Sequence, residues 1–137
     1  MPDMIRQVDY YYTMAPDKAG EGARLLGALR NAGVNLLAFS AFPSARKSQA
    51  DFVPADGAAF VAAAKQAKIK LKGPKKCFLI EGDDRVGALY HTMTRLGDAK
   101  INVTAVDAVT SGMGRWAAIL WVKQRDLKKA AQILGAM

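Results

Sequence analysis

The chain has 137 residues, of which 51% are hydrophobic and 23% charged, with a formal net charge of +8. This composition supports one ordinary domain or two small units with a buried core, and it excludes a disordered chain of low hydrophobicity. No apolar run approaches the roughly 20 residues that cross a bilayer, and the first residues lack the apolar region of a signal peptide. We therefore expect a cytoplasmic protein with no membrane partner.

The chain contains one cysteine and one histidine, Cys77 and His91. One residue of each kind supplies neither an internal disulfide nor the three or four ligands of a soft-metal site, so we expect no metal and no other cofactor. Cys77 lies in an apolar segment and is predicted to be a small buried hydrophobic residue. His91 lies away from the apolar stripe of its predicted helix and is expected to be exposed.

The positive charge is concentrated in two segments of the chain. A basic surface of this kind attracts nucleic acid or an anionic ligand. The alternative, which we favour, is a solvated face that also discourages sheet edges from associating. The basic residues concerned are Lys65, Lys68, Lys70, Lys72, Lys75 and Lys76 in the first segment, and Lys123, Arg125, Lys128 and Lys129 in the second.

The first half of the chain is predicted to form the element order βαββαβ. Gly33 is expected to end the first helix, whose own glycines, Gly20, Gly22 and Gly27, indicate close approach to the sheet or to a ligand. The strand after Gly33 is apolar on both faces, which favours an interior position, and Gly73-Pro74 is expected to end the last strand. The predicted elements are strand 8–14, helix 19–32 with a buried stripe at Ala23, Leu26 and Leu29, strand 34–42, strand 49–53, helix 57–67 and strand 69–72.

The second half repeats this pattern at a constant offset of 67 residues. Hydrophobic positions coincide along the alignment, for example Val34 with Ile101 and Phe52 with Ile119. The second copy ends at Met137, before any counterpart of the last strand of the first copy. Its predicted elements are strand 76–81, helix 86–98, strand 101–110, strand 115–122 and helix 126–134.

The repeat predicts an α+β protein of two tandem ferredoxin-like βαββαβ units, residues 1–73 and 74–137. Each unit is expected to have an antiparallel sheet with its helices on one face, and the second unit is expected to lack a last strand of its own. Because helices cover only one face of the apolar strand 34–42, we expect its other face or the adjoining edges to meet the other copy or another chain.

A polar, glycine-containing turn precedes the first helix of each copy, and in both copies an asparagine follows 18 residues after the aspartate of that turn. In the second copy the turn is Asp84–Leu89 (Asp-Arg-Val-Gly-Ala-Leu), and the next strand begins with Ile101-Asn102. This resembles the ACT domain, whose pattern is Asp or Asn, Pro-Gly-Ala-Leu, a helix, and a Gly-Ile-Asn-Ile strand entry. The resemblance covers nearly the whole chain as two copies.

The resemblance implies a non-catalytic regulatory or sensor protein that binds an amino acid or a related metabolite between adjacent units. It also implies association with itself as a homodimer, or with a regulated protein partner. The amides at a helix start favour a carboxylate, an aspartate accepts from an ammonium group, and an asparagine offers a donor and an acceptor across the same crevice. Carried over position by position, the ligand-binding residues are Asp17, Gly20 and Asn35 in the first copy and Asp84, Gly87 and Asn102 in the second.

These residues also form ordinary strand-to-helix turns, so pure turn geometry is an open alternative. A ferredoxin-like sheet is also the frame of RNA-recognition motifs, which makes an RNA-binding module with a basic surface the alternative function. Base stacking needs aromatic rings on one exposed sheet face, whereas Trp116 and Trp121 lie on opposite faces of their strand, so nucleic acid is the less favoured partner. The sequence shows no carboxylate pair, nucleophile–base set or Walker loop that would indicate an enzyme.

Overall fold

The computed structural model describes residues 2–137 and contains, within that range, six strands and four helices. The predicted α+β class is confirmed, and the order of elements agrees with the prediction except that one strand stands where strands 69–72 and 76–81 were predicted. The elements are β1 (Met4–Pro16), α1 (Glu21–Asn31), β2 (Leu36–Ser44), β3 (Lys47–Pro54), α2 (Gly57–Gln66), β4 (Lys72–Asp83), α3 (Ala88–Asp98), β5 (Val103–Gly112), β6 (Arg115–Val122), a 3-10 turn (Gln124–Asp126) and α4 (Leu127–Leu134).

The chain forms two compact units, one of which is assembled from two separate segments of the sequence. The first unit is Asp9–Lys75, and the second unit combines residues 2–8 with Lys76–Met137. Strands β1 and β4 therefore each contribute one part to the first unit and another part to the second. The division into sequence copies 1–73 and 74–137 stays a prediction, because compactness does not test where one copy ends.

The first unit has the strand order β2-β3-β1-β4, which is the antiparallel arrangement of a ferredoxin-like βαββαβ unit. Tyr11 of β1 lies opposite Phe52 of β3, and both belong to the core. Phe60 of α2 packs on them with ring centroids 5.1 Å from Tyr11 and 5.3 Å from Phe52. Leu25 and Leu29 of α1 complete this core, so the two helices cover the same face of the sheet.

The second unit has the strand order β1-β4-β6-β5 and its own core on the helical side. The position of the last strand is occupied by the first residues of β1, with Ile5 only 6% exposed in the core. The C-terminus joins this strand, since the backbone amide of Met137 donates to Ile5 O at 3.0 Å and the amide of Gln7 donates to Met137 O at 3.0 Å. The second copy, predicted to lack a last strand of its own, obtains one from the start of the chain.

The predicted strand 69–72 and the predicted break at Gly73-Pro74 are wrong. Strand β4 begins at Lys72 and continues through both residues to Asp83. Gly73 has φ +119°, and a Cβ there would lie 2.9 Å from Tyr10 O. Only glycine allows this approach between the two backbones, so the Gly-Pro pair lies within the strand instead of ending it.

The predicted interior strand 34–42 is in fact the edge strand β2. Leu37 and Phe42 are 41% and 42% exposed. A strand that is apolar on both faces is expected to be covered on both faces by other parts of the protein. Whether the strand lies at an edge of the sheet depends on the strand order, which this pattern does not reveal.

The predicted buried stripe of the first helix is also displaced. Leu25 and Leu29 are buried, whereas Ala23 is exposed and Leu26 is 36% exposed. A Cβ added to Gly20, Gly22 or Gly27 would meet nothing within 4 Å, so these glycines do not mark close approach to the sheet. The two buried leucines are four residues apart, whereas the predicted stripe used a spacing of three. Both spacings place residues on one face of a helix, so the sequence pattern did not distinguish them.

Two predictions for single side chains are confirmed. Cys77 is fully buried and His91 is exposed. No helix in residues 2–137 combines the length and the apolar character needed to cross a membrane.

Candidate ligand-binding loops

Both strand-to-helix turns end in a glycine that serves as the N-cap of the following helix. Gly20 precedes α1 with φ +90°, and Gly87 precedes α3 with φ +73°. This left-handed conformation strains any residue with a Cβ, which explains a glycine at the same place in both copies. The space around each position is open, since a Cβ would meet nothing within 4 Å at Gly20 and only Tyr90 Cβ, at 3.9 Å, at Gly87.

The two helix starts differ in their charge. The first turn of α1 contains Glu21, whereas the first turn of α3 contains no acidic residue. Arg24 donates to Glu21 Oε1 at 2.9 Å, and this hydrogen bond holds the pKa of Glu21 below its ordinary value. Glu21 is therefore anionic at neutral pH, so the start of α1 already holds a carboxylate, which is paired with Arg24. The start of α3 is the more favourable position for a carboxylate.

The aspartate of each turn lies beside the hairpin of its own unit. The hydroxyl of Ser48, on β3, donates to Asp17 Oδ1 at 3.1 Å. The backbone amide of Asp84 donates to Gly114 O at 2.8 Å, next to the β5–β6 hairpin. Asp84 is exposed, and its carboxylate makes no hydrogen bond or ion pair with residues 2–137. The carboxylate of Asp84 is therefore the more available of the two.

The turn before α3 is held by the start of the chain. Arg85 donates through two nitrogen atoms to the two carboxylate oxygens of Asp3, each at 3.0 Å, and also to Asp83 O at 2.9 Å. Trp116 Nε1 donates to Asp3 Oδ1 at 3.4 Å. The hydrogen bond from Arg85 keeps the pKa of Asp3 below its ordinary value, with a smaller lowering from Trp116.

Gly82 makes room for this ion pair, because a Cβ at this position would lie 1.9 Å from Asp3 Oδ1. Sequence reasoning missed the whole arrangement. Asp3 and Arg85 are 82 positions apart, and no periodicity or motif connects them. Only the placement of residues 2–8 in the second unit reveals the pair.

The two predicted asparagines lie at the other end of the helices. Asn35 follows the end of α1 at Asn31, and Asn102 follows the end of α3 at Asp98; both are exposed. A helix of 11 residues is about 16 Å long at 1.5 Å per residue. Within one copy, the structure therefore brings Asp and Gly together at one end of the helix but does not bring the asparagine to them. The six residues stay predicted binding residues.

The two tryptophans considered for RNA stacking are poorly accessible. Trp116 is 4% exposed in the core of the second unit, and Trp121 is 6% exposed. Tyr12 is partly buried, with Lys72 Nζ at 5.9 Å and Lys75 Nζ at 5.3 Å from its ring centroid. No group of three or more potential metal-binding side chains (His, Cys, Asp or Glu) comes together in the part of the chain that the structure describes.

No protein-family model and no curated protein sequence matches the chain. Several solved structures share its fold. A protein from Bacteroides thetaiotaomicron has 14% identity and a TM-score of 0.80, over 97% of this chain and 88% of that one. A structure of aspartokinase alpha and beta subunits has 14% identity and a TM-score of 0.65, over 98% of this chain and 95% of that one. The ligand-free regulatory subunit of aspartate kinase from Thermus thermophilus has 13% identity and a TM-score of 0.63, over 98% and 95%. At these identities the similarity is one of fold.

Proposed function

We propose that this chain is a regulatory protein of the ACT type that binds an amino acid and has no catalytic activity of its own. The observation that carries the proposal is the repeated turn, in which an aspartate and a left-handed glycine stand at the start of the first helix of each copy. The fold shared with a regulatory subunit of aspartate kinase supports it.

The recognition chemistry is that of a zwitterion. The amides at the start of α3 attract the carboxylate of the ligand, and Gly87 lets the ligand approach the backbone closely. The exposed carboxylate of Asp84 accepts hydrogen bonds from the ammonium group. The second copy binds more tightly than the first, because Glu21 already supplies a carboxylate at the start of α1 whereas α3 has no acidic residue there.

The position of the asparagines favours a site completed by a second chain. Asn102 lies beyond the far end of α3, so it cannot close a small site around Gly87 of the same copy. An asparagine from a second molecule can do so, and this would make ligand binding and association depend on each other. The exposed apolar residues of the edge strands support association, with Phe42 on β2 42% exposed and Val109 on β5 68% exposed. We accordingly propose a homodimer, or a complex with the protein that is regulated.

The test is a thermal-shift screen of the full chain against the common amino acids, followed by calorimetry for each one that raises the melting temperature. Asp84→Ala is expected to weaken binding about tenfold or more, since hydrogen bonds to charged groups contribute about 1.5–3 kcal/mol. Asn102→Ala is expected to weaken both ligand binding and self-association.

Asp98→Ala is the matched control, because it removes an exposed carboxylate at the opposite end of the same helix. This variant should bind like the parent protein. The site assignment fails if no amino acid raises the melting temperature, or if Asp84→Ala and Asp98→Ala have the same affinity as the parent.

A further inference from the structure

The second unit contains a cavity of about 400 Å³ on its helical side, bounded by α3, the end of α4 and the start of β1. This volume lies within the range of about 300–1,000 Å³ that is typical of small-molecule sites. Part of the wall is apolar, formed by Ile5 and Leu134, which are 6% and 4% exposed. The remaining wall contains polar and charged side chains, so the cavity offers both apolar and polar surface.

The charges around the cavity leave an excess of positive charge. Asp3 and Arg85 line it but neutralise each other through their two hydrogen bonds. Arg95 also lines it, and its guanidinium donates to the backbone oxygen of Ile133. Among residues 2–137, no carboxylate forms an ion pair with Arg95. Because a guanidinium has five N–H donors, Arg95 retains donors for an anion.

Thr92, whose side chain carries a hydroxyl group, lies in the wall of the cavity together with Arg95. The residue is only 2% exposed and lies one helical turn before Arg95 on α3. Residues three apart on a helix lie on the same face, so the hydroxyl and the guanidinium can both donate to one carboxylate. A buried hydroxyl and a guanidinium that has no carboxylate partner can together bind an anion, and hydrogen bonds to a charged group are the strong ones.

We propose that this cavity binds a small organic monocarboxylate with a short branched apolar tail. The carboxylate contacts Arg95 and Thr92, and the tail contacts Ile5 and Leu134. An amino acid fits less well, because Asp3 is already held by Arg85 and leaves no carboxylate for the ammonium group. The cavity shares Arg85 with the turn before α3, but Asp84 and Gly87 do not line it, and its ligand chemistry differs from that of the proposed amino-acid site.

The probe for this site is 4-methylpentanoate, which has the carbon skeleton of leucine without the ammonium group. Amide NMR spectra of the full chain are expected to shift at Thr92, Arg95 and Leu134 on titration. The neutral analogue 4-methylpentanamide, L-leucine and inorganic phosphate should each cause these shifts only at concentrations about tenfold higher or more, since each lacks either the net charge or the apolar tail.

Arg95→Gln is expected to weaken binding of 4-methylpentanoate about tenfold or more, and Arg95→Lys less strongly. Thr92→Val keeps the shape of the buried side chain and should weaken binding severalfold, so it tests the site even if Arg95→Gln does not fold. Lys128→Gln is the control, because it removes a positive charge of α4 that does not line this cavity.

Three results would overturn the proposal. The first is the absence of shifts at these residues with 4-methylpentanoate. The second is an equal loss of affinity in Lys128→Gln and Arg95→Gln, which would indicate diffuse attraction by the basic surface. The third is an equal affinity for phosphate, which would indicate a general anion site. None of these variants changes Asp84 or Gly87, so failure of this proposal and failure of the amino-acid site, which is tested by Asp84→Ala, remain distinguishable.

Discussion

Truncation of the Ile5 side chain is the most direct test of whether the start of the chain completes the sheet of the second unit. Its side chain is 6% exposed and belongs to the core of that unit, together with Phe78, Leu96 and Leu134. Its neighbour Met4 belongs to the same strand and is 49% exposed. The two residues therefore provide one buried and one exposed truncation at adjacent positions.

The magnitude follows from the atoms removed. Ile5→Ala deletes three carbon atoms, and at about 0.8 kcal/mol for each buried methylene the lost transfer free energy is about 2.4 kcal/mol. The cavity left behind adds to this, so we expect a loss of about 3 kcal/mol in the free energy of unfolding of the second unit. Ile5→Val removes one carbon and should cost about 1 kcal/mol.

Urea denaturation followed by tryptophan fluorescence measures this loss, because both tryptophans, Trp116 and Trp121, lie on β6 of the second unit. Met4→Ala is the control and should change the free energy of unfolding by less than about 0.5 kcal/mol. If Ile5→Ala shifts the transition no more than Met4→Ala does, the start of the chain does not complete the sheet of the second unit.

Two further predictions concern the pH dependence of stability and the glycines of the first copy. The pKa of Asp3 is lowered in the folded protein, so its carboxylate stabilises the fold above the ordinary pKa of 3.8, and this contribution is lost as the pH falls through the lowered value. Asp3→Asn should therefore lower the melting temperature at pH 7, and the difference from the parent should shrink progressively below pH 3.8. In α1, Gly27→Ala should stabilise the protein by about 0.5–1 kcal/mol, whereas Gly20→Ala should destabilise it by about 1–2 kcal/mol because of its positive φ.

Each of these predictions has its own control. Asp83→Asn removes an exposed carboxylate that pairs with Arg115, and it should change the melting temperature less than Asp3→Asn does at pH 7. A constant effect of Asp3→Asn across the whole pH range would contradict the role of its charge. For the glycines, denaturation followed by circular dichroism measures the change in the free energy of unfolding of Gly20→Ala and of Gly27→Ala. Since a Cβ meets nothing within 4 Å at either position, equal effects at Gly20 and Gly27 would show that backbone conformation is not the cause.

Local sequence patterns were sufficient for the class of the protein and for its repeat. The offset of 67 residues aligned apolar positions of the two copies, and turn residues separated the strands from the helices. The turns at Gly20 and Gly87 were recognisable because a left-handed helix start demands glycine wherever it occurs. Such features depend on residues close together in the chain, and for that reason they can be read without a structure.

The strand order, the shared strands and the cavity depend on contacts between residues far apart in the sequence. The edge position of β2 could not be predicted, because an apolar run has the same pattern at an edge as in the interior of a sheet. The Gly73-Pro74 pair has the composition of a strand end but lies within β4. Glycine is needed there because the backbone of Tyr10 comes too close for a side chain, and the sequence does not reveal this contact. The pairing of Asp3 with Arg85 depends on the placement of residues 2–8 in the second unit, far from Arg85 in the sequence. Local chemistry thus determined the repeated turns, whereas only the tertiary structure decided which residues hold the second turn in place and which ones line the cavity beside it.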